Sequence, residues 1–254
     1  MAEKEQVSMQ MSLVIAVVDD FTGCPVRSDR LDVWAEGERR PIVKEGGYYI
    51  FSDLREKSII LHLEGKVFFP QILELDEEVL AQYQNKVLKV RMLPNRAYPI
   101  PDNTTCVGGH APCGSVIMAY NRAYENPFKL LTPYTKGSEQ IAVFHPDDME
   151  LEGKTLLIQD KEQTHQDIFR VTDKSDTEKK TYQMEKPLLN SYKKIGTTLY
   201  PVYVTEADKN GEFYLPIRGV HAKKTEFSIW LADGKKPKEK VLELSSGRLN
   251  KIDF

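Results

Sequence analysis

Cysteine is scarce in this chain, with three in 254 residues: Cys24, Cys106 and Cys113. An odd number leaves one thiol unpaired whatever the others do, so a disulfide framework is excluded as the basis of the fold and a reducing compartment is expected. Net charge is lacking too. Lys+Arg 35 against Asp+Glu 38 leaves −3, too little for the long-range field that draws a protein onto nucleic acid or anionic lipid. Apolar runs are short, and none approaches the roughly 20 residues of a membrane-spanning helix. The opening Met1-Ala2-Glu3-Lys4-Glu5-Gln6 is not the basic-then-apolar pattern of an export signal. A cytoplasmic protein that neither binds nucleic acid nor inserts into a membrane is expected.

What is present is strand patterning. Hydrophobic residues make up 41% of the chain, enough for a core, and they fall in short alternating stretches rich in Val, Ile, Tyr and Phe. Gly, Pro, Asn or Asp cuts each stretch within about eight residues, the span of a strand. Strands are expected at Leu13–Val18, Leu31–Ala35, Tyr48–Phe51, Ile59–Leu63, Val67–Leu75 and Val87–Met92, with one short helix at Asp76–Tyr83 behind acidic residues. Strands so closely spaced must bury one face each against a second sheet, which predicts a small β-sandwich. The three prolines of Pro94–Asn103 then remove donors and hold the backbone extended, marking a boundary. A second apolar series follows at Ser115–Tyr120, Tyr200–Val204, Glu212–Pro216, Glu226–Leu231 and Lys240–Leu244.

The strongest internal signal is a repeated pattern. Gly46-Gly47-Tyr48-Tyr49-Ile50-Phe51, an aliphatic strand ending at Gly65-Lys66, and Leu73-Glu74-Leu75 are echoed by Asn210-Gly211-Glu212-Phe213-Tyr214-Leu215, a strand ending at Gly234-Lys235, and Leu242-Glu243-Leu244. Two copies of one sandwich module explain this; generic β-meanders with shared punctuation are the competing account. The expected fold is all-β, with two immunoglobulin- or transthyretin-like sandwich modules in tandem. The parts are a flexible N-terminus (1–10), sandwich 1 (11–93), a Pro-rich linker (94–104) and sandwich 2 (105–254). The second module is about seventy residues too long, an excess that a sandwich loop accommodates without disturbing its ladders. It falls between roughly 134 and 201, where strands at Thr155–Gln159, Asp167–Val171 and Thr181–Glu185, separated by loops such as 173–180, suggest a small barrel-like insertion.

Candidate chemistry is thin. Cys106, His110 and Cys113 have metal-like spacing, but a structural zinc site needs a fourth ligand that nothing nearby in sequence supplies; two buried cysteines and a surface histidine in a glycine-rich turn is the preferred reading. His62, His110, His145, His165 and His221 are the imidazole bases, and none sits in a recognisable nucleophile frame. His62, between Leu61 and Leu63, reads as an outward strand position. The acidic pairs Asp19-Asp20 and Asp147-Asp148 read as solvated turn residues rather than glycosidase carboxylates. Asp208-Lys209-Asn210-Gly211-Glu212 resembles the start of a calcium loop but lacks the downstream glutamate, and Asn-Gly is a stronger hairpin signal. Trp34 and Trp230 fall in strands, where core packing outweighs a sugar-stacking role. No catalytic, cofactor-binding or metal residue is assigned.

Two sets of residues carry a resemblance. Val18-Asp19-Asp20-Phe21-Thr22-Gly23-Cys24-Pro25-Val26, Gly47–Leu54 and Asp208–Phe213 resemble the carboxypeptidase regulatory-like, or transthyretin-like, β-sandwich. Leu88–Pro101, Thr104–Gly109 and Tyr182–Leu189 are similar to module junctions and an inserted-barrel strand in proteins of phage-tail-like contractile injection systems, including those at the cap or tail-terminator end. The resemblance implies a non-enzymatic structural or adaptor protein docking on cap, sheath or tube subunits or on further copies of itself. Assembly would occur in the cytoplasm, into a particle that can be released. The alternative is a carbohydrate-binding or adhesive sandwich. A metal-dependent enzyme built on Cys106, His110 and Cys113 is the remaining rival. The proline-rich junction and the inserted barrel are the expected docking surfaces.

Overall fold

A computed structural model describes residues 11–54, 56–84, 86–125, 127–147, 149–176, 178–220, 222–232 and 238–254. The N-terminal segment 1–10, Asp148, His221 and the Asp233-Gly234-Lys235 end of the second repeat lie outside the described residues. The chain divides into two compact units, Met1–Pro99 and Ile100–Phe254. It is nearly all β.

Unit 1 contains β1 (Met11–Asp19), β2 (Asp32–Ala35), β3 (Ile42–Lys44), β4 (Tyr48–Ser52), β5 (Ile59–Glu64), β6 (Gln71–Leu75), α1 (Glu77–Gln82) and β7 (Val87–Met92). Two sheets, β3-β4-β1-β7 and β2-β5-β6, enclose the core. Alternation decides which side chains enter it: on β5, Ile59, Leu61 and Leu63 are buried while Ile60, His62 and Glu64 are not. Facing them are Leu13, Ile15 and Val17 from β1 and Tyr49 and Phe51 from β4. Each fully buried Leu or Ile contributes roughly 1.5–3 kcal/mol. In α1, Asp76 accepts the Val79 N–H at 2.8 Å as an N-cap, which satisfies one of the helix's orphan donors. β7 pairs with β1 in parallel.

The strand expected over Val67–Leu75 is confined to β6. Pro70 carries no N–H to extend the ladder, and residues 65–67 form a turn, leaving Phe68 with a single bridge to Pro94. Residues 94–98 pack onto unit 1. Asn95 Nδ2 donates to the carbonyls of Lys66 and Phe68 at 3.1 and 3.0 Å. Tyr98 stacks tilted on Phe68 and donates its hydroxyl to Asp19.

Unit 2 contains β8 (Thr105–His110), β9 (Val116–Asn121), β10 (Phe128–Leu130), β11 (Gln140–Phe144), β12 (Thr155–Gln159), β13 (Gln166–Asp176), β14 (Thr181–Met184), β15 (Thr198–Glu206), β16 (Glu212–Ile217), β17 (Lys224–Ala232), β18 (Lys238–Ser245) and β19 (Leu249–Asp253). Strand β13 runs on into the segment expected as the 173–180 loop. Sheet β16-β8-β19 packs against β9-β17-β18 around a core that includes Val107, Ile117, Phe213, Phe227 and Ile229. The pairing follows that of unit 1. β8 joins β16 antiparallel and β19 parallel, as β1 joins β4 and β7; β17 lies antiparallel between β9 and β18, as β5 lies between β2 and β6. Aligning the repeats on Gly65-Lys66 and Gly234-Lys235 sets Leu61 beside Trp230, yet Leu61 is in the core and Trp230 is outside it. Ladder register instead sets Leu61, paired with Leu73, beside Phe227, paired with Leu242.

Between β9 and β16 the chain builds a closed six-stranded barrel. Its order is β10-β11-β14-β13-β12-β15, and β10 pairs back to β15. Phe128, Val143, Leu156, Ile158, Val171 and Tyr182 are among the side chains that fill it. Closure leaves no strand edge within the barrel. β15 belongs to both structures: residues 198–202 pair with β12 and residues 203–206 with β9. Pro201 falls in the gap where the neighbour on one side changes from β10 to β9, so on that side its missing N–H costs no ladder bond.

Asp208–Glu212 is a turn, with Gly211 at φ 77° and the Asp208 carboxylate accepting the Asn210 and Glu212 N–H groups at 2.8 and 3.0 Å. It is not a hairpin. The strands it joins, β15 and β16, lie in different sheets, so the Asn-Gly signal here marks an arch across the sandwich.

Candidate functional site

The candidate site is a groove of about 590 Å³ on the barrel of unit 2. Three pieces of chain build it: β10, the β12–β13 turn, and the connection over 185–197 with the start of β15. Leu130, Gln159 and Thr197 are its buried lining residues, 2%, 5% and 3% exposed. Lys129, Lys161, Lys194, Gln163, Thr198 and Tyr200 are among the others.

Local chemistry holds both loops. Asp160 accepts from the Thr164 N–H at 2.8 Å, the Thr164 hydroxyl at 2.6 Å and His165 Nδ1 at 2.9 Å, and the Thr164 hydroxyl foremost holds its carboxyl down to about 2. That carboxylate is already engaged in closing the β12–β13 turn. Asp167, buried on β13, accepts from the Asn190 N–H and side-chain amide at 3.1 Å each and from the Tyr192 hydroxyl at 2.9 Å. The Leu188 N–H donates to the Tyr134 hydroxyl at 2.9 Å, and Tyr134 and Tyr192 form a two-way backbone bridge. The connection thereby buries Leu188 and Tyr192 and leaves Leu189 72% and Ile195 89% exposed.

Among the described residues, none of Lys129, Lys161 and Lys194 enters an ion pair. The groove therefore has a surplus of positive charge in a chain whose total is −3. Sequence reasoning missed these lysines because they come from three separated segments with no common motif. His165 was noted without a frame; its frame is Asp160 and Thr164. The Thr164 hydroxyl points its proton at Asp160, so no nucleophile–base relay forms there.

The other candidates are dispersed. Cys106 is buried on β8, and the Tyr214 hydroxyl donates to its Sγ at 2.9 Å. Burial pushes this thiol upward, opposite to what a thiolate ligand requires. His110 stands at the far end of β8, about 13 Å along the strand, with Asp253 and Glu212 oxygens at 3.5 and 3.8 Å. Cys113 is exposed, which corrects the expectation that both cysteines are buried. Among the described residues no group of three or more His, Cys, Asp or Glu is arranged to hold a metal ion.

Asp19 accepts from the Phe21 and Thr22 N–H groups at 2.8 and 3.1 Å, and Asp20 lies 3.6 Å from buried Arg91. These acids hold a turn. Asp147 accepts from Lys180 at 2.5 Å, and that bond is the main cause of its lowered pKa. His145 is buried in the barrel wall. His62 lies on the outward face of β5, half-covered by Trp34, whose ring is parallel to it at 4.8 Å, and 2.8 Å from Glu36. Arg40 sits over the same Trp34 ring at 5.5 Å. Trp230 meets Tyr120 edge to face, and its indole N–H is buried with no partner among the described residues. Trp34 is thus stacked by His62 and Arg40, and Trp230 is engaged by Tyr120.

Among the described residues no helix is long and apolar enough to cross a membrane. No protein-family model and no curated protein matches the chain.

Proposed function

We propose that this chain is a non-enzymatic structural or adaptor protein whose tandem sandwich modules and inserted barrel hold surfaces in fixed positions for partner subunits. One observation carries the reading: the polar groups that could have done chemistry are used to pin loops. Asp19 closes a turn, Asp160 and Asp167 fasten both loops of the groove, and Cys106 is sealed under Tyr214. A scaffold so fastened gives up little conformational entropy when it binds, and preorganisation of this kind favours docking. Open edges add to it. β6, β18 and β3 end their sheets, and such strands accept a partner's backbone.

The finer assignment, a component near the cap end of a phage-tail-like contractile injection particle, rests on the resemblance of Leu88–Pro101, Thr104–Gly109 and Tyr182–Leu189. Particles purified from cells lacking this chain are expected to lose an end feature or sheath stability under the electron microscope. Intact, normally capped and contracting particles would count against the assignment. A glycan array tests the adhesive alternative, for which the adaptor reading expects no binding.

A further inference from the structure

The lysine groove of the barrel is the surface whose composition says most about what would occupy it. β10 is paired with β11 on one side and, through Phe128 with Leu199 and Lys129 with Thr198, with β15 on the other, so a further strand cannot be added along that ladder. Side chains therefore do most of the reading of an occupant. Lys129, Lys161 and Lys194 approach the groove from β10, the β12–β13 turn and the 185–197 connection. The carboxylate in the groove lining, Asp160, already accepts from Thr164 and His165. The amides of Gln159 and Gln163 and the hydroxyls of Thr197 and Thr198 add groups suited to carboxylates or peptide carbonyls. Beside these groups Ile195, 89% exposed, stands on a loop held by Asp167 and Tyr134.

From this juxtaposition we infer that the groove binds an acidic, extended segment of a partner protein, its carboxylates meeting the three lysines and an apolar side chain packing on Ile195. Charge complementarity selects the occupant's sign. Ile195 selects a polypeptide over a small anion, because phosphate or a free carboxylate has nothing to place on an isoleucine. The volume is that of a site for a few residues of extended chain. The inference rests on the adaptor reading and specifies the chemistry of one docking site within it.

The test uses the full chain and a fluorescein-labelled peptide of repeating Glu-Asp-Leu, with a Lys-Lys-Leu repeat as control, read by fluorescence anisotropy. The wild-type protein is expected to bind the acidic peptide at low salt, to lose it as salt rises, and to ignore the basic one. Lys129→Glu, Lys161→Glu and Lys194→Glu combined should weaken binding by at least about tenfold, and Ile195→Ser alone by about threefold, with thermal melting unchanged, since all four side chains are solvent-exposed. A combined Lys→Gln variant at the same positions, also expected to lose binding, serves should the reversal fail to fold.

Failure of the wild type to bind, equal binding by the lysine variants, or displacement of the peptide by inorganic phosphate as readily as by unlabelled peptide each overturns the inference. None of these removes the adaptor reading, which fails only in the particle experiment.

Discussion

His145 shows what one buried titratable side chain imposes. Its Nδ1 lies 2.7 Å from the Pro146 carbonyl, which can only accept, so that nitrogen carries the proton. Nε2 then accepts from the Tyr182 hydroxyl at 2.5 Å. The ring is neutral in this arrangement and lies edge-on to Phe128. Burial is the main force lowering its pKa, and Lys180 and Lys174 push the same way against the Pro146 bond and Asp147. An imidazole whose folded pKa is lowered contributes stability that is complete above the unfolded value of 6.5. That contribution falls as the pH drops below 6.5, because the unfolded ring takes up a proton the folded ring resists. Urea midpoints from neutral pH to about pH 5 should fall more steeply for the wild type than for His145→Gln, as linkage requires. Parallel slopes for the two proteins would refute this. Little of it could be read beforehand, because the histidine's neighbours, Tyr182 and Lys180, lie more than thirty residues away.

At the scale of elements, most strands were legible, among them β7 and β12, whose burial does not alternate, while β3, β8, β10, β11 and β19 were missed, β11 although its burial alternates. β5 and β4 declare themselves by their inward residues. β3 and β10 are three residues each, too short for a period to show. β8 was hidden by Gly108-Gly109, which read as a turn, although both glycines lie inside the strand. A Cβ built on Gly109 would fall 1.6 Å from the Ile252 carbonyl oxygen. The parallel approach of β19 thus needs a residue without a side chain, and this third strand arrives from more than a hundred positions away. Gly109→Ala should cost about 3 kcal/mol or more, since backbone must move. Gly114→Ala, at φ 72° with nothing within 4 Å of the new methyl, should cost about 1–2 kcal/mol from backbone strain alone. Chemical denaturation of the two variants measures both, and equal losses would contradict the role assigned to Gly109.

For the whole molecule, the cores are separate by chain segment. The core of unit 1 draws on residues no later than Tyr98, and the barrel and sandwich cores of unit 2 on residues no earlier than Val107. Among the described residues each core comes from its own unit alone, so residues 1–99 and 100–254, expressed apart, should each fold and unfold cooperatively. Circular dichroism and thermal melting check this; a fragment that exposes apolar surface and melts without a transition would refute it. Within unit 2 the barrel and sandwich share β15, and cooperativity between them is the expected consequence.

The amino-acid sequence by itself determined the strand-rich architecture, the punctuation of unit 1 and the presence of extra β structure within the second half. These follow from alternation and turn chemistry, which act over a few neighbouring residues. Tertiary structure decided the rest: that the extra strands close into a barrel, that Asn210-Gly211 spans two sheets, that Cys106 and His110 stand apart, and that three unrelated lysines border one groove. Each depends on contacts between residues distant in the chain, and local periodicity carries no record of which distant segment will arrive.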